Sequence, residues 1–241
     1  MLIMGHPQFE TQNDAGLGHG IPPIPEWQLD PTDRHDHLPP GTNNADLDDA
    51  VWNAFVRLRN VFRRTQTIPF SSSQLHDLTC FVIHRLLLSA PDPASQPSTL
   101  TECVRYATIL YMFIMQGPTY FSHAVIFNQT LGQFMEHFEQ LQPAHSGDDS
   151  LEVWFLAVGM AASLHTPHYH RLSEQAGATV ARRQLSTWAD VLVLIKTVLW
   201  LATEQVEAIF RPHWDAVLDG TQSEHPDLPI CMPSSIGAGF I

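Results

Sequence analysis

Apolar side chains recur at steps of three and four residues through most of the chain, from about Asp46 to Leu218. This spacing places side chains on one face of an α-helix. The first such helix begins at Asp46, ends before Pro69 and carries the apolar set Leu47, Val51, Ala54, Phe55, Leu58, Val61 and Phe62. No segment of alternating apolar and polar residues separates the helices. The pattern therefore predicts an all-α protein, a multi-helix bundle or curved helical array of about seven or eight helices.

Capping residues, glycines and prolines divide the rest of the pattern. The further predicted helices carry Leu75 to Leu86, Thr99 to Gln116, Phe127 to Leu141, Leu151 to Leu164, Leu172 to Val180, Thr187 to Trp200 and Val206 to Val217. Thr99 and Glu102 have the spacing of a capping box, in which each side chain bonds the backbone N–H of the other residue. Pro212 falls inside the last pattern, where we expect a kink or a restart.

The two ends of the chain lack this periodicity. Residues 1–44 are rich in Pro, Gly, His and Asp, and they predict a disordered tail because they bury too little apolar surface to offset the ordering entropy. Within them, Pro22-Pro23-Ile24-Pro25 is a proline-rich stretch whose role as a peptide ligand rests on composition alone. Residues 219–241 predict a second flexible tail. The helical domain accordingly spans residues 45–218.

Charge and cysteine content narrow the possible partners. The formal net charge is −13 and Lys196 is the only lysine, which disfavours binding to phosphates. The one basic cluster, Arg57 to Arg64, follows an acidic helix start at Asp46 to Asp49, so both sets of charges suit the helix macrodipole. The three cysteines are widely spaced, which fits a reducing compartment better than a disulfide framework. No apolar run approaches the roughly 20 residues of a membrane span, and no signal peptide is evident.

Histidines form the densest candidate metal site, His165-Thr166-Pro167-His168-Tyr169-His170. Three imidazoles can hold zinc with a water in the fourth position. However, Pro167 interrupts the segment, and a separation of two residues points His168 and His170 to different sides of a helix. We favour a solvated loop between helices, with a metal site as the alternative. The same interpretation applies to His35-Asp36-His37 in the N-terminal tail.

The other chemistry-bearing motifs also favour structural roles. Gly16-Leu17-Gly18-His19-Gly20 follows no strand and lacks the Lys-Ser/Thr ending of a phosphate-binding loop. The carboxylate pairs Asp48-Asp49 and Asp148-Asp149 stand at helix starts, where they are expected to cap rather than to act as acid and base. Four tryptophans are expected to anchor the core rather than to line an aromatic ligand pocket: Trp154, Trp188, Trp200 and Trp214. We assign no catalytic, cofactor-binding or metal-binding residue and predict no cofactor.

Three blocks of the chain resemble the fungal-specific transcription factor regulatory domain. The first block, Leu185 to Leu218, has a Thr187-Trp188-x-Asp190 helix start, a Leu-Trp pair and a His-Trp-Asp-x-Val-Leu ending. The second, Glu102 to Tyr111, opens with Glu, Cys and Arg. The third, Leu151 to Leu164, contains a Gly-x-Ala-Ala sequence. The resemblance covers roughly Asp46 to Leu218 and marks an all-helical scaffold.

This family joins its helical region to a six-cysteine zinc cluster that binds DNA, and the present sequence contains no such cluster. The resemblance therefore implies a protein of the nucleus, with the cytoplasm as the alternative, that is not an enzyme and does not itself bind DNA sequence-specifically. It would act in transcriptional regulation through a protein partner or a second copy. Two alternatives stay open: a helical scaffold unrelated to transcription, and a small-molecule-responsive or enzymatic domain with a pocket between helices.

Overall fold

The all-α prediction is confirmed by the structure, a computed structural model that describes residues 23–28, 47–65, 70–89, 98–117, 123–141 and 149–223. The described residues contain helices and connecting turns but no β-strand. The helices are α1 (Pro25–Gln28), α2 (Asp49–Arg64), α3 (Ser72–Leu88), α4 (Thr99–Gln116), α5 (His123–Gln140), α6 (Asp149–Ser163), α7 (Pro167–Arg183), α8 (Trp188–Val198) and α9 (Glu204–Ser223). The first is a single turn, and the other eight match the expected number.

Polar side chains cap the start of three of these helices. The Asp48 carboxylate accepts hydrogen bonds from the backbone N–H groups of Ala50 and Val51 at 2.9 and 3.2 Å. Ser71 and Gln74 form a reciprocal capping box at α3. Thr187 and Asp190 form another at α8. Each cap satisfies N–H groups that a helix leaves without an internal partner. Asp148, the other predicted capping residue, lies outside the described residues.

The capping box predicted at Thr99 is wrong. The N-cap residue of α4 is Ser98, its side chain makes no capping bond, and Thr99 is already the first helical residue. Glu102 is buried and paired with Arg105 instead of reaching back to the helix start. A one-residue shift of the helix start removes the reciprocal geometry on which a capping box depends.

Helices α4 and α6 supply the centre of the fold. All side chains of α6 from Val153 to Val158 are buried, and α6 packs against α4, α5, α7, α8 and α9. Gly159 permits the close approach of its neighbours, since a Cβ there would stand 3.0 Å from a Leu172 methyl and 3.1 Å from the Phe134 ring. A helix that is apolar nearly all round belongs in the interior.

Helices α7 and α9 each accommodate a proline. Pro167 occupies the first position of α7, where a missing N–H is harmless. The segment from Pro167 to His170 is therefore the first turn of a helix and not a loop, which corrects the expectation for that histidine cluster. Helix α9 is continuous through Pro212, so the restart expected there does not occur.

The boundaries of the helical region differ slightly from those predicted. Helix α9 extends to Ser223, five residues beyond the expected end at residue 218. Within the expected N-terminal tail, residues 23–28 pack against the body, and Ile24 and Trp27 are buried. The apolar side chains of this segment thus find a surface to cover on the helical body. The rest of both predicted tails lies outside the described residues.

No helix in the described part of the chain is long and apolar enough to cross a membrane.

Candidate functional site

The start of α8 is a locally determined structure on the protein surface. The Asp190 carboxylate accepts hydrogen bonds from the backbone N–H groups of Ser186 and Thr187 at 3.0 and 2.8 Å. The hydroxyl groups of the same two residues also donate to it. These hydrogen bonds, from the Ser186 backbone first, lower the pKa of Asp190. The Asp190 carboxylate is therefore committed to capping and is poorly suited to accept a proton in catalysis.

An aromatic junction, defined as Tyr111, Trp154, Trp188, Trp200 and Phe210, lies beneath this helix start. The Trp200 ring meets Trp188 and Phe210 edge to face, at centroid distances of 6.3 and 5.6 Å. The Tyr111 ring stacks on Phe210 at 5.7 Å and is 6.1 Å from Trp154. Both arrangements are favourable for aromatic quadrupoles. The structure thus places all four tryptophans named from the sequence in the core, with Trp214 also fully buried.

Hydrogen bonds join the junction to the chain between α8 and α9. The Trp154 indole N–H donates to the Leu199 carbonyl at 3.1 Å. The Leu201 backbone N–H donates to the Tyr111 hydroxyl oxygen at 3.0 Å. Burial raises the pKa of the Tyr111 hydroxyl, so it stays neutral. The three blocks that carry the family resemblance, which are far apart in sequence, therefore converge at this one place.

An open cavity of about 570 Å³ lies beside the start of α8. Its walls are residues 186–189 and, from α9, Arg211, Asp215, Leu218 and Asp219. Arg211 is held by ion pairs to Glu207 at 3.5 Å and to Asp215 at 3.2 Å. The volume lies within the range of small-molecule sites, although such sites are usually more apolar than this cavity.

A buried ion pair lies at the start of α4. Glu102 and Arg105 are 3% and 2% exposed, and their side chains approach to 3.3 Å. Arg105 also donates to the Ser89 carbonyl at 2.6 Å, while its Nε has no hydrogen-bond partner among the described residues. Burial raises the pKa of Glu102, whereas the nearby Arg105 and His137 lower it in part. This pair was not predicted from the sequence, although two opposite charges three residues apart in an otherwise apolar helix indicate that the two side chains can meet.

Among the described residues, the histidines of the His165–His170 segment do not assemble a metal centre. His170 Nδ1 lies 3.4 Å from the Glu174 carboxylate on the exposed face of α7. On the same turn, the Tyr169 hydroxyl is 3.1 Å from His213 Nδ1. Within the described ranges, no group of three or more His, Cys, Asp or Glu side chains could hold a metal ion. His35-Asp36-His37 and the Gly16–Gly20 segment lie outside those ranges.

A second missed cluster joins α3 to the end of α4. The Cys80 sulfur lies 3.6 Å from His76 Nε2, and the Gln116 side chain contacts His76 Nδ1. This order of groups is that of a cysteine nucleophile with an oriented base. However, burial raises the pKa of Cys80, so the thiol is not activated as a thiolate. Burial also raises the pKa of the enclosed Cys103 thiol.

A groove between α2 and α3 holds the short N-terminal segment of residues 23–28. Its occupant is Trp27, which is 3% exposed and packs edge to face on Phe81 at 5.1 Å. Arg57 donates to the Trp27 carbonyl at 3.2 Å, and the guanidinium of Arg85 lies 5.9 Å from the centre of the indole ring. One arginine of the basic cluster thus binds this segment. Arg63 and Arg64 stand in the last turn of α2, where cations are favourable.

Comparison with known proteins identifies no similar protein. No protein-family model matches the chain, and searches of curated proteins and of solved structures find no match either. The assignment of a function consequently depends on the residues and geometry described above.

Proposed function

We propose that this chain is a helical interaction domain that acts in transcriptional regulation, through contacts with a protein partner or with a second copy. It is not proposed as an enzyme or as a sequence-specific DNA-binding protein. The nucleus is the proposed compartment, with the cytoplasm as the alternative. The resemblance to the fungal-specific regulatory domain supplies the transcriptional part of this proposal.

The observation that carries the proposal is the convergence of the three resembling blocks. Tyr111, Trp154 and Leu199 to Leu201 belong to different blocks, yet hydrogen bonds connect them in the core. Their polar atoms are used by the fold itself, which is the behaviour of a scaffold. The fold requires such contacts, which supports the interpretation that the blocks mark a fold rather than a reaction site.

The exposed face of α8 supports contact with another protein. Val193 is 63% exposed on a helix whose charged residues are only Asp190 and Lys196. The acidic net charge disfavours nucleic acid and anionic membrane as partners. An exposed apolar side chain within an acidic chain is better suited to a protein surface.

A small-molecule-responsive domain is the second candidate, and the cavity beside α8 favours it. Its walls offer the exposed cation Arg211 and the carboxylates Asp215 and Asp219. A ligand there would be small and polar. It would also contact the helix start that rests on the aromatic junction, so binding could alter the stability of this end of the fold.

The decisive test fuses the chain to an unrelated DNA-binding module. The fusion protein is expressed in a fungal host that carries a reporter gene with the binding site of that module upstream. We expect the fusion to change reporter output, and Val193→Glu to remove most of that change without altering the helical circular dichroism spectrum. Val125→Glu is the matched control, because Val125 is 69% exposed on a different helix. Reporter output that the fusion leaves unchanged would contradict the regulatory role.

A separate measurement tests DNA binding. Fluorescence anisotropy at physiological salt should show only weak binding of the isolated chain to DNA, without sequence preference. Tight, sequence-dependent binding would contradict the proposal.

A further inference from the structure

The ordered part of the N-terminal region is a short peptide seated on a helical body. Pro23, Ile24 and Trp27 are buried, and the Trp27 backbone N–H donates to the Ile24 carbonyl at 3.0 Å to close a single turn. Residues 29–46 separate this turn from the first residues of the body, Leu47 and Asp48. The segment is therefore distant in sequence from the groove that it fills.

The contacts in the groove are those that a free peptide could reproduce. Phe81 forms an apolar floor for the indole ring, and Arg85 offers its guanidinium to the ring at 5.9 Å. Arg57 recognises a backbone carbonyl rather than a particular side chain. Buried tryptophan and arginine are the residues that most often dominate binding energy at interfaces. Pro25 is the first residue of the helical turn, where its fixed φ suits a helix start and leaves less backbone freedom to lose on binding.

We propose that the groove between α2 and α3 is a peptide-docking site, occupied in this structure by the chain's own residues 23–28. The partner that it fits is a protein segment of the same chemistry, a Pro-Ile dipeptide followed by a tryptophan three residues later, which are the residues buried here. The N-terminal segment then acts as an internal competitor. Because it is covalently joined to the body, its effective concentration at the groove exceeds that of a dilute external peptide. This inference stands whether or not the chain acts in transcription.

The test measures binding of a fluorescently labelled peptide, residues 20–29 of this sequence, to the full-length chain by anisotropy. We expect weak binding to the wild-type chain and binding at least about tenfold tighter to the Trp27→Ala chain, because the internal competitor is then impaired. The Ile24→Ala chain should fall between them. That milder variant decides the matter if Trp27→Ala does not fold, as judged by its circular dichroism spectrum.

Two controls assign the binding to the groove. A peptide carrying the Trp27→Ala change should lose binding to the Trp27→Ala chain. Adding Arg57→Gln to that chain should weaken binding several-fold, whereas Arg63→Gln should not, since Arg63 is an exposed arginine in the last turn of the same helix. Equal affinity for the wild-type and variant chains, or no binding to a folded variant, would overturn the proposal.

Discussion

Helix α4 carries two buried polar sites that are built in opposite ways. Near its start, Glu102 and Arg105 bury two charges, and Arg105 Nε finds no partner among the described residues. Two turns further on, Tyr111 buries a neutral hydroxyl that accepts a hydrogen bond from the Leu201 backbone N–H. The two sites belong to one helix and are equally hidden from water, so they differ mainly in charge and in the number of atoms left unpaired.

The difference shows what each site can contribute. A neutral group that is buried with its partner adds modest stability and fixes the path of a connection, here the chain between α8 and α9. A buried ion pair must first overcome the loss of hydration of both ions, so its net contribution can be near zero or unfavourable. We infer that the Tyr111 site stabilises the fold. The Glu102–Arg105 pair contributes little net stability, but substitution of either residue alone leaves a buried charge without its partner and destabilises the fold.

The largest expected loss of stability is at the aromatic junction, to which Tyr111 belongs. Trp200 is 7% exposed and meets two other aromatic rings. Trp200→Ala should lower the free energy of unfolding by about 3 to 5 kcal/mol, because it leaves a cavity among well-packed rings. Urea denaturation followed by circular dichroism would measure this loss. An unchanged midpoint would remove Trp200 from the core.

Removing one charge at the other site should have an effect almost as large. Arg105→Met leaves Glu102 buried without its partner and should lower the free energy of unfolding by about 3 kcal/mol. The double variant Glu102→Gln, Arg105→Met should recover most of this loss, because no buried charge remains. A double variant as unstable as the single one would show that the ion pair stabilises the fold in its own right.

A smaller effect is expected from the neutral hydroxyl. Tyr111→Phe keeps the ring and its stacking on Phe210 but leaves the Leu201 N–H without its acceptor. The free energy of unfolding should fall by about 1 to 3 kcal/mol, the usual penalty for a buried unsatisfied donor. Denaturation of this variant beside Tyr106→Phe, a half-buried tyrosine on the same helix, gives the matched control. Equal losses in the free energy of unfolding for the two variants would mean that the hydrogen bond from the Leu201 N–H to Tyr111 adds no stability of its own.

The sequence predicts the aromatic site better than the ionic one, for a physical reason. Large apolar residues at helical spacing have few stable places other than the interior, so the burial of Trp154 and Trp200 follows from pattern alone. Glu102 has two plausible roles, a cap or a buried pair, and the choice depends on where the helix begins. Ser98 takes the N-cap position, and this one-residue difference moves Glu102 from the expected cap to the interior.

Tertiary contacts explain the other features that sequence did not predict. The composition of residues 23–28 predicts part of a tail, because so short a segment cannot form a core of its own. In the structure, Phe81 and Arg85 of α3 provide the surface against which Trp27 packs. The contact between His76 and Gln116 joins two different helices, and no local pattern encodes it. By contrast, the Ser71 and Thr187 caps involve neighbours three residues apart and are predictable from sequence.

The smallest expected effect concerns pH and sharpens the comparison most directly. Burial raises the pKa of Glu102 above its ordinary value of 4.5, with a further increase from Asp48, while Arg105 and His137 lower it in part. The folded protein therefore holds this proton at pH values where the unfolded chain has released it. Under that condition the free energy of unfolding falls as pH rises from about 4.5 to the folded-state pKa. The neutral Tyr111 site shows no such dependence in this range.

Comparison of the wild-type chain with Glu102→Gln isolates this contribution. The stability of the wild type minus that of the variant should decline between pH 4 and pH 7, because only the wild type must bury an ionised carboxylate at the higher pH. Glu136→Gln, which removes an exposed carboxylate on α5 and is measured alongside, controls for the loss of one negative charge. A difference that instead grows with pH would mean that attraction to Arg105 outweighs desolvation. The charged site would then stabilise the fold as the neutral one does, and the contrast between the two ends of α4 would disappear.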